Sequence, residues 1–117
     1  MRSTCLIATA LFGMLFAHPA ASQGNPYPTE VVSDYVFGCM AANGETPDAL
    51  NKCSCSIDVI ASILPYESYQ RGETVLGMRQ VAGGGEKMDV FRETAWARKA
   101  VDDLRRAQIE AEIRCFG

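Results

Sequence analysis

Four cysteines constrain this chain more than any other feature. Cys39, Cys53, Cys55 and Cys115 all follow an N-terminal stretch of export type, in which Met1 and Arg2 give a short basic start and Leu6 to Ala17 an apolar run of about a dozen residues. That run is shorter than the roughly 20 apolar residues a spanning helix needs, and His18-Pro19 breaks it. Ala20-Ala21-Ser22 then offers the small residues a signal peptidase reads, so residues 1–22 read as a signal peptide cut after Ser22, with Ala21 the second choice. Cys5 lies before the apolar run, which argues against a lipid anchor, and it leaves with the leader. Residues 23–117 remain as one domain of about the smallest size that buries a useful core unaided, and added help from crosslinks is expected. An even number of cysteines in such an exported domain reads as two disulfides, formed in an oxidising compartment, periplasmic or extracellular.

The pattern between the cysteines has helical period and no strand-like alternation, so the expected fold is all-α: a disulfide-stapled bundle of about four helices, the last one long. Gln23 to Pro28 reads as a mobile leader. Thr29 is placed to cap a first helix, with Glu30 in its first turn, Val32, Tyr35, Val36 and Cys39 on one face, and Asn43-Gly44 ending it. The second start is the clearest: Thr46 as N-cap, Pro47 at the first helical position and Asp48 beside it. Its apolar stripe, Leu50, Cys53, Ile57, Ile60 or Ala61, and Leu64, makes it the central helix, and Pro65 ends it. A third helix runs from about Tyr66 to Val81, with Gly72 and Gly77 as possible points of close backbone approach. Gly83-Gly84-Gly85 reads as a flexible hinge that tolerates alanine at position 84. Glu86 to Arg114 follows as one helix, with Val90, Thr94, Ala97, Val101, Leu104, Gln108, Ala111 and Cys115 on its stripe. Unbroken it would be roughly 45 Å long, more than a domain of this size spans, so it must kink or project.

Helical geometry also bears on the pairing of the cysteines. Cys53 and Cys55 are about 200° apart around a helix, so their side chains diverge and a bond between them is the least favoured of the three arrangements. In a hairpin about Asn43-Glu45, Cys39 is mismatched in height by about 4.5 Å with Cys53 and by about 7.5 Å with Cys55. The favoured pairing is therefore Cys39–Cys53 with Cys55–Cys115.

The sole histidine, His18, is in the leader, so the exported part carries no imidazole for a Ser-His-Asp or Cys-His set, for metal ligation or for haem. Eleven basic residues, one of them Arg2 of the leader, stand against fourteen acidic ones, so the exported part carries a net charge of −4. That disfavours nucleic acid and anionic membrane as partners. Gly83–Gly85 before Glu86-Lys87 lacks the spacing and the Ser/Thr of a phosphate loop. Asp102-Asp103, Glu110 and Glu112 alternate with Arg98, Lys99, Arg105, Arg106 and Arg114 as on a salt-bridged face, not a metal site. No cofactor, metal or catalytic residue is assigned. Carboxylate chemistry by Asp58 with Glu67 or Glu73 is the remaining enzymatic option. Trp96, Tyr66 and Tyr69 are the aromatics best suited to contact a partner.

From Cys39 through Cys53-Ser54-Cys55-Ser56-Ile57-Asp58 to Pro65-Tyr66-Glu67, and again at Gly85-Glu86-Lys87, Phe91-Arg92 and Cys115, the chain resembles a group of small proteobacterial exported, periplasmic proteins with a C…CxC…C helical scaffold. The resemblance implies a scaffold, and an association with periplasmic quinoprotein dehydrogenases in methylotrophs and their relatives. It implies no catalytic residue. The expected function is that of a non-catalytic accessory module that binds another periplasmic protein. The alternative is a thiol-redox or soft-metal carrier using Cys53 and Cys55, with Met40, Met78 and Met88 as further soft ligands.

Overall fold

The computed structural model describes residues 24–81 and 84–117, and among them the chain forms five helices and no strand: α1 (Thr29–Asn43), α2 (Pro47–Ile63), α3 (Tyr66–Gln80), α4 (Gly85–Glu93) and α5 (Ala95–Cys115). The start of α2 follows from its three cap residues. Thr46 Oγ1 accepts the Ala49 N–H at 3.1 Å, and Pro47 occupies a position whose missing N–H has no partner to lose. Leu64 turns extended ahead of Pro65, which ends α2 where the sequence predicts. Gly44 turns the chain out of α1 at φ 104°, a conformation open to glycine and strained for other residues. Thr29 is the first residue of α1 and not its cap; Pro28 holds that place.

α2 and α5 pack against one another at the centre, α1 lies on α2, α3 lies on α5, and α4 bridges α3 and α5. Ile57, Ile60, Ala61 and Leu64 of α2 meet Leu104, Ala107 and Ala111 of α5 in the larger core cluster. A smaller one joins Val75 of α3 to Ala97 and Val101 of α5, covered by Phe91 of α4. Three positions of the expected stripes change hands. Ala49 is buried where Leu50 was expected, Met88 is buried while Val90 is exposed, and Ala107 lies inward where Gln108 was expected. At Gly72 a Cβ would stand 2.8 Å from Leu104 Cβ and 3.0 Å from the Ala100 carbonyl, so α3 and α5 touch through it. Gly77, also expected at a close approach, faces open space.

The disulfides join Cys39 to Cys53, with Cα atoms 5.7 Å apart, and Cys55 to Cys115, at 5.8 Å. The first fastens α1 to α2. The second closes 60 residues and fastens the end of α5 to the middle of α2.

Three expectations are corrected. The stretch before α1 is ordered from residue 24, because Tyr27 is buried and Asn25 Nδ2 donates to Asp58 Oδ1 at 2.8 Å and to the Ile57 carbonyl at 3.3 Å. The long final helix is two helices. Thr94 takes an extended conformation and its hydroxyl donates to the Val90 carbonyl, while Arg79 Nε donates to the Phe91 carbonyl at 2.7 Å and so occupies an acceptor freed by the break. The break lets α4 fold back over α3 and α5 in place of projecting. Of the glycine hinge, Gly83 lies outside the described residues. At Gly84 an added Cβ would fall 1.5 Å from Met88 Cγ, so alanine there requires the buried Met88 side chain to shift.

Candidate functional site

The bundle leaves an open trench between α1 and α3, because each flanks a different central helix. α1, at Glu30, Asp34, Tyr35, Gly38 and Asn43, forms one wall. Tyr66, Tyr69, Glu73 and Thr74 of α3 form the other, and Ser56 of α2 with Gln108, Glu112 and Phe116 at the end of α5 close one end. The trench has two lobes, of about 390 and 520 Å³, that share Asp34, Tyr69 and Glu73.

Its electrostatics are one-sided. The ion pairs among the described residues, Lys52–Asp48, Arg71–Glu67, Arg92–Asp89, Lys99–Asp103 and Arg114–Glu110, are short-range contacts within single helices. None involves Glu30, Asp34, Glu73 or Glu112. Loss of water around Glu73, reinforced by the Asp34 charge, raises its carboxyl above the usual glutamate range. Burial likewise raises Tyr35 and Tyr69, and beside Tyr69 the Glu73 charge adds to the effect. Among the described residues no three carboxylate or cysteine groups converge closely enough to hold a metal ion.

The expected contact aromatics lie on two sides of α3. Trp96 is half exposed at 50 %, stands edge-on to Phe91 at 6.1 Å, and lines a second groove with Glu67, Gln70, Arg71, Thr74 and Val75. Tyr66 and Tyr69 line the acidic trench, where Tyr69 is only 7 % exposed and stacks at 5.0 Å on Tyr27. Asp58 lines a groove with Gly24, Asn25 and Pro26, whereas Glu67 and Glu73 line other grooves. Cys53 and Cys55 bond to different helices, and Cys5 lies outside the described residues. The acidic stretch of α5 divides: Asp103 and Glu110 pair with Lys99 and Arg114, whereas Glu112 turns to the trench.

No known protein-family model matches this chain, and no curated protein or solved structure matches it. Two disulfides mark it as a protein of an oxidising environment. No helix among the described residues is long and apolar enough to cross a membrane. The trench escaped the sequence reading because its carboxylates are separated by up to 82 positions, from Glu30 to Glu112, and none sits in a motif.

Proposed function

We propose that this chain is a non-catalytic module, exported to the periplasm or beyond by removal of residues 1–22, that acts by binding another protein. One observation carries the reading: large apolar side chains face outward from a scaffold that disulfides hold in place. Phe37 is 80 % exposed, and Ile109 and Ile113, one turn apart on α5, are 60 % and 65 % exposed. Apolar surface kept outside a small core is what a contact face requires. The resemblance drawn from the cysteine scaffold directs the search for the partner to periplasmic quinoprotein dehydrogenase systems.

Affinity capture from periplasmic extract with the oxidised protein tests this. A specific partner, retained by wild type and lost from the Ile109→Ser/Ile113→Ser or Phe37→Ser variant, is the expected result. Failure to retain any partner overturns the reading. The carrier alternative is separated by mass: a chain lighter than its reduced form by the four hydrogens of two disulfides, with no metal and no reactive thiol, ends it.

A further inference from the structure

The trench between α1 and α3 combines two independent features. The first is charge without a countercharge: Glu30, Asp34, Glu73 and Glu112 line it, and no cationic side chain among the described residues lies within ion-pairing distance of any of them. The second is Tyr69. It is more than nine-tenths buried, yet its hydroxyl has no hydrogen-bond partner among the described residues, unlike that of Tyr27, which donates to the Leu64 carbonyl. Among the described residues no polar side-chain atom sealed from solvent is left unpaired, so the Tyr69 hydroxyl opens into the trench, which it lines in both lobes. The Tyr69 ring is buried while its hydroxyl stays open to the trench beside Glu73, which presents a hydrogen-bonding group at a fixed position to a ligand.

The shape selects the class of ligand. The α1 wall runs from Glu30 to Asn43, about 20 Å at 1.5 Å per residue, which matches about six residues of extended chain. A small organic cation would fill only a fraction of that length. Carboxylates from three helices, Glu30 and Asp34 of α1, Glu73 of α3 and Glu112 of α5, with Tyr35, Tyr66 and Tyr69 among them, suit lysine and arginine side chains, which gain both from the charge and from the ring faces.

We infer that the trench takes an extended, lysine- or arginine-bearing segment of the partner protein. The inference rests on the binding-module reading and adds a second contact surface to the apolar side chains that carry it. The carboxylates hold the cationic side chains, and the Tyr69 hydroxyl donates to or accepts from the segment's backbone.

The test is fluorescence anisotropy of the oxidised protein with a dye-labelled peptide of about eight residues carrying alternating lysines, and with its glutamate counterpart. The lysine peptide binds saturably, weakens steeply with salt, and loses about tenfold in affinity with Asp34→Asn/Glu73→Gln. Tyr69→Phe weakens it several-fold, whereas Glu67→Gln, outside the trench, leaves it unchanged. Thermal melts of the variants show that the fold is retained. Equal binding of both peptides, no saturable binding, or displacement by spermidine as effective as by unlabelled peptide overturns the inference. In the capture experiment, a partner held equally by wild type and Asp34→Asn/Glu73→Gln removes the trench but leaves the module reading standing. Absence of any partner removes the module reading, and the peptide titration still decides the trench.

Discussion

The Tyr27 hydroxyl donates to the Leu64 carbonyl at 2.6 Å, bridging 37 residues and tying the segment before α1 to the end of α2. The bond satisfies a carbonyl that the last turn of α2 leaves open, and the Tyr27 ring packs 5.3 and 5.0 Å from the rings of Tyr66 and Tyr69. Burial around this hydroxyl pushes its pKa up to about 12. Tyr27→Phe removes the bond alone and is expected to cost about 1 kcal/mol, while Tyr27→Ala also empties the core and is expected to cost about 3–5 kcal/mol. Urea denaturation of the two variants checks the ratio; equal, negligible losses would mean that the segment does not hold the fold.

The two disulfides are predicted to differ in worth. Chain entropy assigns about 4 kcal/mol to the Cys55–Cys115 loop of 60 residues and about 3 kcal/mol to the Cys39–Cys53 loop of 14. Cys55→Ser/Cys115→Ser should therefore lower stability more than Cys39→Ser/Cys53→Ser. Denaturation of both double variants checks the order, and a fully stable Cys55→Ser/Cys115→Ser protein would contradict it.

Gly72 and Gly77 stand on the same helix and are expected to respond oppositely to alanine. At Gly72 the new Cβ overlaps Leu104 and the Ala100 carbonyl, which costs about 1–3 kcal/mol unless α3 shifts. At Gly77 nothing lies within 4 Å, so Gly77→Ala is expected to stabilise by about 0.4–1 kcal/mol. The difference in melting temperature between the two variants measures the contact between α3 and α5.

Glu73 makes the stability depend on pH with a definite sign. Its carboxyl titrates higher in the folded protein than in the unfolded chain, so between the ordinary glutamate value and the raised one the folded state holds more protons. Stability from this group is therefore greatest below the ordinary value and is lost as pH rises through the raised one. Asp34 is the charge that adds to the burial effect. Glu73→Gln should be more stable than wild type at neutral pH and should lose that advantage as pH falls through the window. Denaturation across this range checks the crossing; an advantage that stays constant with pH would contradict it.

Much of the scaffold was legible in the sequence, for identifiable reasons. Thr46-Pro47-Asp48, Asn43-Gly44 and Pro65 are local signals, and helical phase alone separates Cys53 from Cys55. Tyr27 was illegible because one aromatic between two prolines has no period to reveal its burial. The break at Thr94 was hidden because threonine falls on the apolar stripe, where its side chain reads as core and not as a competitor for the Val90 carbonyl. The trench was hidden because it exists only after α1 and α3 settle on different central helices.

The central claim, action by contact with a partner protein, is tested most directly by photo-crosslinking in the exporting cell. With p-benzoylphenylalanine placed in turn at Phe37, Trp96 and Ile113, all at least half exposed, irradiation should give a discrete heavier adduct with one partner from at least one position. Absence of any adduct from all three positions, in cells that export the folded and oxidised protein, would contradict the account.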